Sequence, residues 1–150
     1  MDQEEIKQII EDSCTKLLLN EPELFNQEND INERTVSSSL SNILNDAFPG
    51  HNASAEYNRM TDENGIQIPK RIHLDPDDPN PTLVYPDIIV HRHGDGNHNL
   101  LIIEIKMTWK SEGKESDIEK LNSYIIELGY SFGLYLELGE GGIVEEQWFG

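Results

Sequence analysis

The chain has one cysteine, Cys14, among its 150 residues. A single thiol excludes an internal disulfide, and so low a cysteine content is typical of proteins from a reducing compartment. Isoleucines and leucines recur at helical spacing on both sides of Cys14, which favours a buried core thiol over a catalytic nucleophile. We therefore expect the protein to be cytoplasmic.

Long apolar runs and several familiar catalytic motifs are also missing. No stretch approaches the roughly 20 apolar residues that cross a bilayer, so no contact with a membrane is expected. The first residues, MDQEEIKQIIEDS, are acidic, whereas a secretion signal is basic at this position. The sequence has no Gly-rich phosphate loop, no Gly-x-Ser-x-Gly motif and no usable Cys–His dyad, which argues against nucleotide-binding and serine or cysteine hydrolase classes.

Basic residues are scarce. The chain carries 11 Lys and Arg against 29 Asp and Glu, which gives a net charge of −18. Such a chain repels nucleic acid over most of its surface. The charge is uneven, because residues 1–33 carry ten acids and two bases, whereas residues 86–124 carry seven acids and five bases. The acidity thus lies mostly outside the segment 86–124.

The hydrophobic pattern predicts one domain over residues 1–150 with a mixed α/β (α+β) fold, made of a helical extension over 1–30 and a core over 31–150. Helices are predicted over Glu4–Leu19, from Asp30 or Asn32 to Phe48, and over Ser116–Leu128. Strands are predicted over Ala53–Met60, Ile66–Ile72, Leu83–His91, Asn99–Met107, Tyr130–Leu138 and Ile143–Phe149. The turn-rich residues 93–98 are expected to join two of these strands as a hairpin.

Two neighbouring strands carry charged residues beside buried apolar runs. Glu104 and Lys106 share one face of their strand because side chains alternate, and Asp87 opens the partner strand behind Pro86. The hairpin can bring the two carboxylates together. Two carboxylates and an intervening backbone carbonyl suit Mg²⁺, and a nearby lysine can act on a water or stabilise charge on a phosphate. A surface ion pair is the alternative interpretation.

These residues carry a family resemblance. The PD at 86–87 followed by the EIK at 104–106 resembles the PD-(D/E)xK signature of restriction-endonuclease-like nucleases. The predicted order of elements over residues 33–138 also resembles that superfamily's αβββαβ core, a mixed β-sheet flanked by helices, here with an extra N-terminal helix.

The resemblance implies a role for each matching residue. Asp87 and Glu104, with the carbonyl of Ile105, would bind Mg²⁺ or Mn²⁺. Lys106 would assist the attack of a metal-bound water on a DNA phosphodiester, leaving 5′-phosphate and 3′-hydroxyl ends. Many family members also place an acid on the first core helix, facing the site, and Glu33 is in that position here.

The helix after the lysine adds two candidate substrate-binding residues. Exonuclease-type members of the superfamily often carry Gln-x-x-x-Tyr there, and this chain has Lys120 where the glutamine would be, followed by Tyr124. The departure leaves the exonuclease subgroup open. Lys120 and Tyr124 lie one helical turn apart on one face, where they can contact a phosphate.

The leading hypothesis is therefore a metal-dependent nuclease that acts on DNA, binds it weakly alone, and has a protein partner or forms a homodimer. A second hypothesis is a catalytically silent nuclease-like scaffold whose acidic surface binds a basic protein or mimics nucleic acid. A third is a metal-binding domain without hydrolysis. The sequence does not distinguish DNA from RNA as the substrate, or endonuclease from exonuclease action.

Other chemically suggestive residues have ordinary explanations. His91, Arg92, His93 and His98 are expected to be solvated at a hairpin end, since no further ligand at zinc-site spacing accompanies them. Glu56 is either a supplementary ligand or the partner of an arginine. Trp109, which lies near Lys110 and Lys114, is expected to be an aromatic packed under a loop. Asp75, Asp77 and Asp78 are expected to form a solvated acidic loop. Trp148 and Phe149 are expected to cap the sheet.

Overall fold

The computed structural model describes residues 1–55, 59–61, 67–69, 71–72, 79–80, 82–83, 85–92, 99–110 and 112–150. Among them are three α-helices and a five-stranded mixed β-sheet, which confirms a fold of mixed α and β structure. The helices are α1 (Gln3–Asn20), α2 (Glu33–Ala47) and α3 (Lys114–Leu128). Short 3₁₀ helices cover Pro22–Phe25, Gln27–Asn29 and Thr108–Lys110. The strands are β1 (Asn52–Ala55), β2 (Arg59–Thr61), β3 (Gln67–Pro69), β4 (Arg71–Ile72), β5 (Thr82–Leu83), β6 (Ile88–His91), β7 (Leu101–Met107), β8 (Phe132–Gly139) and β9 (Gly142–Phe149).

The central sheet has the strand order β1-β6-β7-β8-β9. All neighbours in it are antiparallel except β7 and β8, which are parallel and are connected through α3. The remaining strands form two small antiparallel pairs, β2 with β3 and β4 with β5, and lie between β1 and β6 in the chain. The buried strand β7 is therefore the central strand of the sheet, and the buried strand β6 is its antiparallel neighbour.

Helices α1 and α2 cover one face of the central sheet. Asp2 caps α1 by accepting from the Glu5 N–H, and Asn32 caps α2 by accepting from the Thr35 N–H at 3.0 Å. Their apolar stripes pack on the odd-numbered residues of β7 and form the larger core cluster. Cys14 lies in this cluster, and burial raises the pKa of its thiol to about 12, so the predicted core thiol is confirmed.

Helix α3 covers the opposite face. It begins after Gly113, which has φ +85°, and ends at Gly129, which has φ +73°, so both glycines occupy the left-handed region. Its buried residues pack with strand residues on this face of the sheet and form the second cluster: Ile72, Ile89, Ile102, Leu121, Tyr124, Leu128, Tyr130 and Tyr135. Each face of β7 is thus covered, which explains why that strand is almost continuously apolar.

The predicted helices agree with the structure to within two residues, with α2 beginning after Asn32 and not after Asp30, but three predicted strands were wrong. The strand predicted over Leu83–His91 is divided, because β5 ends at Leu83 and β6 begins only at Ile88. Pro86 lies between them, and its missing N–H cannot join a ladder. The strand predicted over Ala53–Met60 is also divided, since β1 belongs to the central sheet whereas β2 pairs with β3. The strand predicted over Ile66–Ile72 is divided in the same way, since β3 pairs with β2 whereas β4 pairs with β5.

Gly139 at the end of β8 is expected to tolerate no side chain. A Cβ there would lie 2.7 Å from Thr108 Oγ1 and 2.9 Å from Thr108 Cγ2. We expect Gly139→Ala to lower the free energy of unfolding by about 1–3 kcal/mol in urea titrations, because the overlap forces the neighbouring backbone to shift. In a Thr108→Ala background the cost is expected to fall by more than half. An equal cost in both backgrounds would show that Thr108 is not the cause.

None of the helices within the described part of the chain is both long and apolar enough to pass through a bilayer.

Candidate active site

Asp87 and Glu104 meet where the pairing of β6 with β7 ends. Ile88 lies opposite Ile103 in that antiparallel pair, so one further step along the register sets Asp87 opposite Glu104. Residues directly opposite in an antiparallel pair present their side chains on the same face. The two carboxyl groups lie close enough that each affects the pKa of the other, which confirms the predicted juxtaposition.

A backbone bond fixes the direction of the Asp87 side chain. Its Oδ2 accepts a hydrogen bond of 2.7 Å from the N–H of Ile105. The side chain of Asp87 thus takes the place at this N–H that a carbonyl of the neighbouring strand would occupy in a regular ladder. The N–H and C=O of a strand residue point to the same side. The Ile105 carbonyl is therefore directed towards the side of β7 on which Asp87 lies.

Burial controls the ionisation of this carboxyl pair. Glu104 is 7% exposed, and burial raises the pKa of its carboxyl well above the ordinary value, with the neighbouring Asp87 charge adding to the rise. Burial also raises the pKa of Asp87, although the bond from Ile105 opposes that rise. The pair therefore holds a proton more tightly than two isolated carboxyl groups do.

Tyr124 of α3 holds the deeper carboxyl group. Its hydroxyl donates to Glu104 Oε1 at 3.1 Å, and its side chain is only 1% exposed. Burial is the first cause that raises the pKa of this phenol, followed by the charge of Glu104. Tyr124 thus contacts a predicted metal ligand directly, and its predicted contact with substrate stays a prediction.

Lys106 is held on the same face of β7. Its Nζ lies 2.9 Å from Asp117 Oδ2 and donates to the carbonyl of Glu112 at 2.9 Å. The side chains of Lys106 and Asp117 are each 13% exposed. The ammonium group therefore has two fixed partners at the start of α3.

Two more predicted residues lie at the edge of the same cluster. Glu33, the first residue of α2, has its Oε1 3.5 Å from the N–H of Met107 at the end of β7, and its charge contributes to raising the pKa of Asp87. Lys120 is close enough for its charge to oppose the rise in the pKa of Glu104. The structure therefore brings all seven predicted site residues to one end of β7.

The cluster contains more acid than base. Its four carboxyl and two ammonium groups are Asp87, Glu104, Asp117, Glu33, Lys106 and Lys120. A buried excess of negative charge is costly unless protons or a cation neutralise it. A divalent cation at the carboxyl pair would balance the excess when all six groups are ionised.

The donor set fits Mg²⁺ or Mn²⁺. No group of three or more His, Cys, Asp or Glu side chains among the residues the structure describes is arranged to hold an ion by itself. Mg²⁺ does not require such a group, since it is commonly bound through one or two carboxylates and keeps its waters or takes phosphate oxygens. Asp87 and Glu104 supply two hard oxygen ligands, and the Ile105 carbonyl faces the same side.

Asp117 was not predicted as a site residue. The apolar residues Ile118, Leu121, Ile125 and Leu128 indicate the buried side of this helix by their spacing, but the buried residues of α3 are Asp117, Leu121, Tyr124 and Leu128. The signal was present, because an acid four residues before Leu121 and seven before Tyr124 lies on their stripe.

The other suggestive residues are divided between confirmed and corrected predictions. Trp109 packs against the larger core and donates to the carbonyl of Ile31 at 3.2 Å, so it is the packed aromatic that was expected. His91 was predicted to be solvated but is 5% exposed, because β6 continues through it and pairs it with Asn52. Other predictions fall outside the described residues: Glu56, Asp75, Asp77, Asp78, His93 and His98.

The metal-free protein is expected to lose stability as the pH rises. Asp87 and Glu104 have pKa values in the folded protein above their ordinary values of 3.8 and 4.5. Their contribution to the free energy of unfolding is therefore greatest below these ordinary values. It is lost as the pH rises through the raised pKa values. Glu104→Gln keeps the acceptor for Tyr124 and a donor towards Asp87 but cannot ionise. We expect this variant to be more stable than the wild type at pH 7 in EDTA by about 1 kcal/mol, roughly 4 °C.

Thermal unfolding at several pH values tests this prediction. The stability difference between Glu104→Gln and the wild type is expected to vanish below about pH 4. Glu119→Gln, an exposed change of the same charge on α3, serves as the control and is expected to behave like the wild type. A pH-independent difference would mean that the carboxyl pair does not share a proton.

No model of a protein family, no curated protein and no solved structure matches this chain.

Proposed function

We propose that this protein is a nuclease that depends on Mg²⁺ or Mn²⁺ and hydrolyses phosphodiester bonds in DNA, with a core of the PD-(D/E)xK type. The observation that carries the proposal is the pairing of the half-buried Asp87 with the buried Glu104, with Lys106 two residues beyond Glu104 on the same face. Such a pair is costly to leave charged, and its position has no evident structural use.

The order of elements supports the proposal. From α2 onwards, a helix is followed by three strands of the central sheet, β1, β6 and β7, then by α3 and β8. This is the αβββαβ order that the sequence resemblance implies. In this interpretation α1 is the extra N-terminal helix, β9 extends the sheet, and the two small strand pairs are an insertion before β6.

The carboxyl pair would hold the cation together with the Ile105 carbonyl. A bound divalent cation supplies positive charge to the phosphate and makes water more acidic. The Ile105 N–H keeps Asp87 oriented and the Tyr124 hydroxyl keeps Glu104 oriented, so both ligands are in place before substrate binds.

The remaining site residues act on the phosphate. In hydrolysis a water oxygen adds to phosphorus, the bond from phosphorus to the 3′ oxygen breaks, and the leaving oxygen takes a proton. Lys106 carries its ammonium group on the face where this charge develops, and Lys120 adds a second positive charge from α3. Positive groups that are already in place stabilise the transition state more than mobile ones.

The net charge limits how DNA reaches this site. A chain of charge −18 gains little from the release of counterions, so tight independent binding to duplex DNA is not expected. Binding by the nuclease is therefore weak and local, or a basic protein partner supplies the missing contacts. The same charge favours a second candidate function, a catalytically silent scaffold that binds a basic protein through its acidic surface.

A cleavage assay separates the two functions. Purified protein is incubated with supercoiled plasmid and with single-stranded circular DNA at low salt, in Mg²⁺, Mn²⁺ or EDTA, beside Asp87→Asn. We expect metal-dependent cleavage that yields 5′-phosphate ends and is lost in the variant. Absence of cleavage with every substrate and metal, or equal cleavage by both proteins, would contradict the nuclease.

A further inference from the structure

The ion pair between Lys106 and Asp117 joins β7 to the first turn of α3. The two charged groups lie 2.9 Å apart, and the same ammonium group donates to the carbonyl of Glu112, also at 2.9 Å. Gly113 follows with φ +85° and lies close beside the lysine, because a Cβ on it would be 3.7 Å from Lys106 Nζ. The turn before α3 is thus shaped around the end of this side chain.

Stability alone gives a poor reason for this arrangement. Partly buried ion pairs contribute little compared with apolar side chains of similar size, because both charges lose water. Asp117 lies on the buried stripe of α3, four residues before Leu121, where an apolar residue would pack on β7 and β8. Its charge also adds to that of Asp87 and raises the pKa of Glu104. The carboxylate therefore has an electrostatic cost at this position.

A lysine side chain needs such a partner to keep one position. It has four rotatable bonds, and the freedom of all of them is lost when the ammonium group is held in one place. Two fixed acceptors, a carboxylate and a carbonyl, confine the Lys106 ammonium group on the face of β7 that carries Glu104 before any substrate arrives. Misplacing a catalytic group by about 1 Å can lower a rate by about 100-fold.

We infer that Asp117 is a positioning residue that holds the Lys106 ammonium group in its catalytic place. The inference rests on the proposed nuclease function and adds to it a residue that the sequence motif does not contain. Asp117 acts only through Lys106 and does not contact the substrate.

Removing the Asp117 carboxylate is expected to affect turnover rather than substrate binding. We expect Asp117→Asn to lower kcat by about 100-fold with KM changed by less than about twofold. Asp117→Glu, which keeps the charge, is expected to recover part of the loss. Glu119→Gln removes an exposed charge two residues away and is expected to match the wild type. Asp117→Ser provides a second variant if the asparagine variant is unfolded.

A second measurement needs neither metal nor turnover. The metal-free proteins are treated briefly with acetic anhydride, and acetylation of Lys106 is followed by peptide mass spectrometry, with exposed Lys16 as the internal standard. We expect Lys106 to react more slowly than Lys16 in the wild type and several-fold faster in Asp117→Asn. A purely structural ion pair would change this reactivity but leave kcat unchanged.

The outcomes separate this inference from the proposed function. If the wild type cleaves DNA while Asp117→Asn keeps its kcat, the positioning role is overturned and the nuclease stands. If kcat falls but the reactivity of Lys106 does not change, the inference is also overturned, because the loss then has another cause. If the wild type cleaves no substrate, the proposed function fails and the inference fails with it.

Discussion

Replacing Glu104 by glutamine is expected to abolish both DNA cleavage and stabilisation by Mn²⁺. The amide keeps the bond from Tyr124 and the shape of the side chain but removes the negative charge that a divalent cation needs. We expect kcat/KM to fall by about 1,000-fold or more, since the change removes a proposed ligand and not only its orientation. At a metal concentration 100 times the Kd, the wild type is expected to gain about 2.7 kcal/mol, roughly 8 °C, and the variant none.

The same variant makes this prediction specific. In EDTA Glu104→Gln is expected to be at least as stable as the wild type, so its lost activity cannot be assigned to unfolding. Glu119→Gln is expected to retain the Mn²⁺-induced rise in Tm. A rise of equal size in Glu104→Gln would place the cation elsewhere on this acidic chain.

Lys106→Gln is expected to lower kcat by about 1,000-fold while leaving the affinity for Mn²⁺ nearly unchanged. The glutamine amide can still donate to Asp117, so the variant removes the positive charge with little loss of packing. Stabilisation of charge that develops on a transferring phosphate is worth several kcal/mol in rate. Single-turnover cleavage measures kcat, and the metal-induced shift in Tm measures the affinity.

Lys106→Arg provides the matched comparison for this prediction. Arginine keeps the charge but cannot fit its planar group between Asp117 and the carbonyl of Glu112 as an ammonium group does. An intermediate loss of kcat is therefore expected. Full activity of Lys106→Gln would remove Lys106 from the mechanism, and a parallel loss of Mn²⁺ affinity would mean that the change disrupts the metal ligands.

The helices were predicted well because each has local signals at its ends. Asn32 caps α2, Phe48 and Pro49 end it, and Gly129 ends α3. The division between β5 and β6 was harder to predict. The apolar pattern continues across Pro86, whereas the hydrogen-bonded ladder does not. Local periodicity gives no information on which sheet a strand joins, and this is why β2 was assigned to the same strand as β1.

The carboxyl pair could be predicted because strand alternation and hairpin register are simple rules. They placed Glu104 and Lys106 on one face and allowed a hairpin to bring Asp87 beside Glu104, and the register then sets Asp87 opposite Glu104. The partners of these residues were less accessible. Asp117 was missed because a charged residue on a helix normally indicates a solvated face, and the contact of Tyr124 with Glu104 depends on how α3 packs, which sequence spacing does not give.

The distribution of charge is unusual for the proposed nuclease. Two lysines near the site are already paired with acids, because Lys110 lies 3.8 Å from Asp30 and Lys114 lies 2.7 Å from Glu145. Few basic side chains in the described part of the site region are therefore left to bind DNA phosphates. A substrate that reaches the cation directly, or a partner that carries basic residues, fits this charge better than a long duplex contact does.

Binding of Mn²⁺ to the metal-free protein tests the central claim most directly. The electron paramagnetic resonance signal of free Mn²⁺ is followed during a titration of the wild type and of Asp87→Asn. The proposed site predicts one tightly bound Mn²⁺ per chain in the wild type and loss of that binding in the variant. Absence of tight binding in the wild type, or the same binding in Asp87→Asn, would contradict a metal site at the carboxyl pair.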